Sequence, residues 1–225
     1  MTKINLSKRL LAIANMVDKG SCLLDVGCDH ALLDIYLLQN TIIKKSIAAD
    51  ITIGALNQAK KNISLSNVSN IETRLGDGLD ILYENDSVDT LVISGLGNQK
   101  ITSILYDNKK KLSNINTLII QSNTGYYDIR KEIVKLGYYV EDESLVRENN
   151  IIYVIIKFCK GKKVYSKRNL YFGPCLLKNK NELFNELVIN EINKNRIIIK
   201  RLPKRKFMKK IKLKFKNYFL KKEVL

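Results

Sequence analysis

Short apolar runs alternate with longer segments of helical spacing along the first 160 residues. This pattern is typical of a doubly wound α/β sheet, in which buried parallel strands alternate with helices. The predicted strands span residues 21–26, 46–49, 71–75, 90–94, 116–121, 138–141 and 151–158. The predicted helices span residues 3–17, 31–39, 55–64, 100–106 and 127–136.

Apolar residues recur at helical spacing again near the end of the chain. Pro203 cannot continue a helix interior, so we predict two helices, 179–202 and 204–221, packed antiparallel. Their shared apolar seam is predicted to contain Leu183, Phe184, Leu187, Val188, Ile192, Phe207, Met208, Ile211, Phe215 and Phe219. We therefore expect two domains, residues 1–165 and residues 166–225.

The composition fits one good-sized apolar core with a small attachment, since 45% of the 225 residues are hydrophobic and 27% are charged. No apolar run approaches the length of a membrane span, and residues 1–20 lack the order of a signal peptide, so we expect a cytoplasmic protein. One histidine and four cysteines without CxxC spacing predict reduced thiols and no metal site.

Positive charge is concentrated in the last third of the chain. Residues 1–150 contain 17 Lys and Arg against 18 Asp and Glu, whereas residues 151–225 contain 22 against 4. Fourteen cations and no acid occur from Lys194 to Lys222, a density that repels itself unless an anion lies nearby. Phosphate groups of nucleic acid are the expected partner, with an acidic membrane surface as the alternative.

Acidic and glycine residues follow four of the predicted strands. Asp25 and Gly27 end the first, Asp50 ends the second, Asp77 lies between two glycines after the third, and Gly95 follows the fourth. Ligands of open α/β sheets bind at the carboxyl ends of the strands, so these turns predict a nucleoside pocket. Asp50 suits the two hydroxyls of a ribose, and Asp77 suits an exocyclic amine.

The charge of this predicted pocket favours a cationic ligand. Three carboxylates, Asp25, Asp50 and Asp77, repel a pyrophosphate, and no Gly-Lys-Ser/Thr motif follows. The sulfonium of S-adenosyl-L-methionine suits them better. NAD is the alternative cofactor, but the second and third glycines of GxGxxG are absent after the first strand.

Six short motifs occur in an order that resembles one family across almost the whole chain. They are LSKRL (6–10), DVGCDHA (25–31), GDGL (76–79), ISGLG (93–97), QSN (121–123) and FGP (172–174). The order resembles the bacterial tRNA (adenine-N1)-methyltransferases that modify adenosine 22. The resemblance implies a Rossmann-like class I methyltransferase domain with a C-terminal α-helical coiled-coil domain, S-adenosyl-L-methionine as donor, and the D-arm region of tRNA as substrate.

Three positions depart from the pattern of that family. Cys28 stands where serine is more frequent, Asn98 where a small residue is usual, and Ser122 where proline is expected. Asn98 is expected to narrow the floor of the pocket, and Ser122 removes a locked φ angle. The alternatives are therefore an RNA-binding protein with weak or no catalysis, or a methyltransferase of another nucleic acid.

Methylation at adenine N1 requires no base, because that nitrogen has a free lone pair at neutral pH. The product cation spreads onto N6, so acceptors near N6 are the expected catalytic groups: Asp29, Gly95 and Asn123. Tyr126, Tyr127 and Tyr153 are candidates for an aromatic platform, with ordinary packing as the alternative for each. The predicted cofactor contacts are Asp25, Gly27, Cys28, His30, Asp50, Ile51, Asp77, Gly78, Gly95 and Leu96.

The basic segment from Lys194 to Lys222 is expected to contact the RNA. Lys8 and Arg9 are further candidates, which contact phosphate or close the pocket, with a solvated helix face as the alternative. No feature of the sequence requires a dimer, so we expect a monomer.

Overall fold

A seven-stranded mixed sheet forms the centre of the computed structural model, which describes residues 4–224. The strands are β1 (Ser21–Val26), β2 (Ile43–Asp50), β3 (Ile71–Leu75), β4 (Thr90–Leu96), β5 (Thr117–Ser122), β6 (Tyr138–Glu148) and β7 (Ile151–Lys160). Their order is β3-β2-β1-β4-β5-β7-β6. Strands β1 to β5 pair in parallel, and β7 pairs antiparallel with both β5 and β6. The predicted doubly wound α/β fold is confirmed.

Helices lie between most of the strands and follow the sheet as far as Lys221. They are α1 (Lys8–Ala14), α2 (Leu32–Gln39), α3 (Ile53–Ser66), α4 (Asn98–Asp107), α5 (Tyr126–Lys135), α6 (Lys167–Phe172), α7 (Pro174–Lys178), α8 (Glu182–Arg201) and α9 (Phe207–Lys221). Sequence patterns missed α6 and α7, which are too short to show a period. Residue 3, where the first predicted helix begins, lies outside the described residues.

The core lies on both faces of the central strands. Eight residues of these strands are fully buried: Leu23, Leu24, Leu91, Val92, Ile93, Leu118, Ile119 and Ile120. Such continuous apolar runs are required where helices cover both faces of a parallel sheet. The strand order reverses between β1 and β4, which opens a crevice at their carboxyl ends.

Strand β6 is longer than its pattern predicts. The apolar run stops before Glu141, yet the strand continues to Glu148. A register shift between Val140 and Asp142 marks a bulge, after which pairing with β7 resumes. Bulges interrupt the alternation of a strand without ending it, so the sequence pattern indicated only the first part.

The chain forms two compact units, the first ending at Cys175 and the second beginning at Leu176. The sequence predicted a boundary after residue 165, and α6 explains the difference. The guanidinium of Arg130 donates to the backbone carbonyls of Leu170 and Tyr171, both at 3.2 Å. These bonds attach α6 to the first unit.

A buried ion pair also fixes the segment that follows α6. Arg130 and Glu143 lie 2.6 Å apart, with side chains only 1% and 0% exposed. Gly173 has a φ of +97°, and a Cβ there would lie 2.5 Å from Oε2 of Glu143. The backbone N–H of Cys175 donates to the same oxygen at 2.9 Å. Position 173 therefore requires glycine, which gives the FGP motif a structural reason.

The second unit contains the two basic helices, and they are antiparallel. Lys180 pairs with Glu223 at 3.0 Å, and Nδ2 of Asn195 donates to Oδ1 of Asn217 at 2.8 Å. In α8, the predicted seam is buried at Phe184, Val188 and Ile192.

The predicted seam is wrong for α9. Its buried residues are Asn217 and Leu220, whereas the apolar residues assigned to the seam are exposed. The amide of Asn217 bonds to Asn195 and to the carbonyl of Ile192, so this face of α9 is the one turned inward. Periodicity identifies an apolar face but not the neighbour that covers it.

Within residues 4–224, no helix has the length and apolar character needed to cross a bilayer. The same residues contain no group of three or more metal-binding side chains. Within the described residues, the four cysteines form no disulfide bond.

Candidate functional site

A tight turn after β1 forms the first part of the site. The backbone N–H groups of Gly27 and Cys28 both donate to the carbonyl of Ala49, at 2.9 and 3.0 Å. Gly27, Asp29 and Ala31 all have positive φ angles, of 77°, 53° and 54°. A Cβ at Gly27 would meet no atom within 4 Å, so open space lies beside this backbone. Left-handed residues other than glycine are uncommon and often mark functional turns.

The carboxylate of Asp50 is oriented by two neighbouring loops. Its Oδ1 accepts from the backbone N–H and the hydroxyl of Thr52, at 2.8 and 2.9 Å, and its Oδ2 accepts from the N–H of Asp29 at 3.2 Å. A carboxylate has about four acceptor positions, so one position, on Oδ2, is left for a ribose hydroxyl. The adjacent Ile51 is 62% exposed and offers an apolar surface beside these oxygens.

Asp25 lies beneath the turn and is paired with a residue that sequence reasoning missed. Asp25 is 4% exposed and Asp34, on α2, is fully buried. Burial, followed by the charge of Asp34, raises the pKa of Asp25 well above its usual value. Burial raises the pKa of Asp34 to about 6. The hydrogen bond that Asp34 accepts from the hydroxyl of Ser46 lowers the same pKa, but by less. In the sequence, Asp34 is distinguished only as the single acidic residue of the apolar segment LLDIYLL.

Two further predicted cofactor residues lie beside Asp25 and Asp50. Burial, followed by the charge of Asp25, raises the pKa of the Cys28 thiol, which is therefore neutral at physiological pH. Nε2 of His30 lies 3.1 Å from Oδ1 of Asp29. The structure therefore brings Asp25, Cys28, Asp29, His30 and Asp50 together at the ends of β1 and β2.

The turn after β3 carries Asp77 and Gly78. Nζ of Lys100, on α4, donates to Oδ2 of Asp77 at 2.7 Å, and both side chains are about half exposed. Gly78 has a φ of +58°, and a Cβ there would contact Ile104 at 3.0 Å. Lys100 compensates the charge of Asp77 and competes with any amine that binds to it.

Gly95 and Asn123 are joined in a closed hydrogen-bond network. Gly95 forms a bulge in β4 with a φ of +80°. Its N–H donates to Oε1 of Gln121 at 3.0 Å, and its carbonyl accepts from Nδ2 of Asn123 at 2.6 Å. Nε2 of Gln121 donates to Oδ1 of Asn123 at 3.1 Å, which completes the ring. Gln121 is fully buried, and the QSN motif was its only signal in the sequence.

Arg9 reaches the same network from α1. Its Nη1 donates to Oε1 of Gln121 at 2.9 Å, and its guanidinium lies 5.5 Å from the ring centre of Tyr153. Its backbone N–H donates to Oε1 of Glu148 at 3.1 Å. Of the two cations predicted at the front of the chain, Lys8 is exposed and Arg9 is partly buried in this network.

Asn98 and Ser122, two departures from the family pattern, both bond to Thr124. The hydroxyl of Ser122 donates to the carbonyl of Thr124 at 2.6 Å and accepts from its N–H at 3.4 Å. Oδ1 of Asn98 accepts from the hydroxyl of Thr124 at 3.1 Å. Hydrogen bonds thus restrain the loop that a proline would restrain covalently.

The three candidate tyrosines lie in different surroundings. Tyr126 is partly buried, and burial raises the pKa of its hydroxyl. Tyr127 lies 6.2 Å from the ring of Tyr171. Tyr153 lies under Arg9, as described above. Of the three, Tyr153 is therefore connected to the network of Gly95 and Asn123.

Comparisons with known proteins agree on one family. The family model described as TrmK, tRNA (adenine(22)-N(1))-methyltransferase, matches residues 23–222. The tRNA (adenine(22)-N(1))-methyltransferase of Bacillus subtilis is 32% identical over 82% of this chain and 80% of its own.

Solved structures show the same similarity. Streptococcus pneumoniae Sp1610 in complex with S-adenosyl-L-methionine has a TM-score of 0.91 and 31% identity, and covers 98% of this chain and 100% of its own. M. capricolum TrmK in complex with S-adenosyl-homocysteine has a TM-score of 0.87 and 30% identity, and covers 96% of each chain.

Proposed function

Because the chain belongs to the TrmK family of tRNA (adenine(22)-N(1))-methyltransferases, we propose how its two compact units divide the reaction. The reaction itself follows from the family: methyl transfer from S-adenosyl-L-methionine to N1 of adenosine 22, in the D-arm region of tRNA. In our proposal the first unit binds the donor and the adenine, and the second unit binds the body of the tRNA.

The donor site is proposed at the turns that follow β1 and β2. Open space beside Gly27 admits a ligand close to the backbone, and Asp50 retains one acceptor position for a ribose hydroxyl. The exposed side chain of Ile51 offers an apolar contact for a purine ring. When bound, the donor supplies an activated methyl group on a sulfonium. Gly27, Asp50 and Ile51 fit that group through the open space, the acceptor and the apolar contact that they offer.

The adenine is proposed to bind at Gly95 and Asn123. Both of their oxygens, the Gly95 carbonyl and Oδ1 of Asn123, already accept one hydrogen bond and keep a second lone pair. An N6 amine that becomes more positive during methylation binds such oxygens more strongly. The closed network is the observation that carries this assignment, because it fixes both oxygens in advance of binding.

Asp29 completes the proposed catalytic set, although its surroundings differ from those of Asn123. Its carboxylate lies beside His30, and its N–H is bonded to Asp50. These contacts support a position of the Asp29 carboxylate between the donor and the adenine, as a hydrogen-bond acceptor. His30 orients the carboxylate and takes no proton from N1.

The tRNA is proposed to dock on α8 and α9. The second unit contains sixteen Lys and Arg against four Asp and Glu. Four of these cations, Arg196, Lys200, Lys214 and Lys221, line a groove between the two helices. Phosphate contacts by such side chains provide affinity without sequence preference. We further propose that the protein acts as a monomer in the cytoplasm, where its tRNA substrate lies.

Methylation of unmodified tRNA with labelled S-adenosyl-L-methionine tests the assignment. We expect label in the tRNA and a reverse-transcription stop at adenosine 22. The Asn123→Ala variant is expected to lose most of the label while it still binds the donor. A label at another nucleotide, or full activity of Asn123→Ala, contradicts the proposed adenine site.

Removal of the second unit tests the division of labour. A chain that ends at Lys178 is expected to bind S-adenosyl-L-methionine with unchanged affinity and to lose tRNA binding. Calorimetry and filter binding measure the two affinities. Equal loss of both contradicts the proposal.

A further inference from the structure

One face of α9 is apolar and open to solvent. Its residues lie at helical spacing, and their exposed fractions are Phe207 63%, Met208 65%, Ile211 42%, Phe215 63%, Tyr218 55% and Phe219 48%. We call these six residues the aromatic face. The buried residues of the helix, Asn217 and Leu220, project on the opposite side. Apolar surface of this kind marks an interaction site when it forms one continuous patch.

Three of its rings form a preformed cluster. Phe215 and Phe219 meet edge to face, with ring centres 4.6 Å apart, and Tyr218 lies 5.7 Å from Phe219. Nζ of Lys222 lies 4.5 Å from the ring centre of Tyr218. Edge-to-face contacts between the rings hold them in place, and each ring still remains about half exposed or more. A flat ligand can therefore stack on them without reordering the helix.

Cations border the aromatic face on both sides. By helical position, Lys212 lies along one edge, and Lys214 and Lys221 lie along the other. No acid occurs between Lys194 and Lys222, so two copies of this face would repel each other. Four of the six residues are aromatic, whereas a membrane surface is served equally well by aliphatic side chains. Stacking rings bordered by cations are the pattern of proteins that bind unpaired nucleotides.

We propose that the aromatic face stacks against unpaired bases of the tRNA substrate. This inference rests on the proposed docking of tRNA on α8 and α9, and it adds a second source of affinity. Lysine contacts with phosphate depend on salt, whereas base stacking on the rings depends on it little. The proposed contact also requires that the bound tRNA exposes unstacked bases, as in a loop.

A single tryptophan reports this contact directly, because the natural chain has none. The Phe215→Trp variant of the full chain keeps a ring on the aromatic face. We expect its fluorescence to be quenched when unmodified tRNA is added, as the indole stacks on a base. The matched control is Ile197→Trp on α8, where the native side chain is 51% exposed, and we expect little quenching there. Equal quenching at both positions, or none at position 215, overturns the proposal.

Salt dependence separates the rings from the lysines. We expect the double variant Phe215→Ala/Phe219→Ala to bind tRNA about 10-fold more weakly at every salt concentration, with an unchanged log–log slope. The matched pair Lys212→Gln/Lys214→Gln is expected to reduce that slope by about one for each lost phosphate contact. Circular dichroism checks that both variants keep their helices. Unchanged affinity in the folded double Phe variant overturns the inference.

The outcomes also distinguish this inference from the proposed function. If the unaltered protein neither binds nor methylates tRNA, the proposed function fails. If it does both and removal of the rings has no effect, only the aromatic face is wrongly assigned. A blue shift of Phe215→Trp on anionic vesicles, without quenching by tRNA, assigns the face to a membrane and overturns the inference.

Discussion

At the scale of single residues, Asp25 and Asp34 form a buried pair whose pKa values are both raised. Both carboxyl groups lie out of water beneath the turn that follows β1, and burial raises both pKa values. The folded protein therefore retains protons that the unfolded chain releases. Because Asp25 lies two residues before Gly27, the protonation of this pair sets the charge beneath the proposed donor site.

The pair predicts a pH dependence of stability with a defined sign. Between pH 4 and pH 6 the unfolded chain loses these protons first, so the free energy of unfolding falls as pH rises, by about 2 kcal/mol over this interval for a group whose pKa rises from 3.8 to about 6. Asp34→Asn is expected to flatten this dependence. Ser46→Ala is expected to steepen it, because the Ser46 hydroxyl lowers the pKa of Asp34. Thermal unfolding across this pH range measures both. A profile unchanged by Asp34→Asn contradicts the prediction.

Gln121 is predicted to act as a positioning residue. The Gln121→Glu variant keeps an acceptor for Gly95 and Arg9 but loses the donor to Oδ1 of Asn123. The amide of Asn123 is then expected to turn, so that its oxygen no longer faces the adenine. We predict that kcat falls about 10- to 100-fold while donor affinity is unchanged. Single-turnover methylation and calorimetry measure the two quantities. Equal loss of both indicates a structural role only.

At the scale of elements, the sequence predicted each strand of the sheet and the helices between them. Their positions follow from local patterns: apolar runs for β1, β4 and β5, and helical spacing for α2 to α5. The exceptions depend on distant partners. Helix α6 is fixed by Arg130, and the inward face of α9 is fixed by Asn195. No local pattern contains that information.

Gly173 offers a test of the connection between α6 and the sheet. In Gly173→Ala, the new Cβ meets Glu143 and the backbone has a φ of +97°, so we expect a loss of about 2 kcal/mol or more. The control is Gly54→Ala in α3, where a Cβ meets nothing within 4 Å and stability is expected to stay equal or to rise. Denaturant unfolding compares the two variants. Equal stability of both contradicts the structural reason given for the FGP motif.

At the scale of the whole molecule, charge and chemistry are separated along the chain. Residues 1–150 are nearly neutral, whereas the second unit is strongly basic. Because a basic unit attracts any RNA, the proposed division of labour leaves the selection of one adenosine to the first unit. Binding and selection are therefore expected to respond differently to salt and to mutation.

The basic unit predicts a steep salt dependence of tRNA binding. Each phosphate contact releases counterions, so we expect the logarithm of the affinity to fall with the logarithm of salt concentration with a slope of several units. Filter binding at salt concentrations of about 50 to 200 mM measures this slope. Donor binding measured in the same buffers is the control and is expected to change little. A flat response for tRNA excludes α8 and α9 as the docking surface.

The sequence by itself determined the sheet, the acidic and glycine turns at its carboxyl edge, and the motif order that identifies the family. These features depend on residues that are neighbours in the chain, so the sequence pattern predicts them directly. Only the tertiary structure decided that Asp34 lies beside Asp25, that Arg9 bonds to Gln121 across 112 positions, and that the rings of α9 face solvent. Such contacts join residues that are far apart in the chain, and packing of the whole fold selects them.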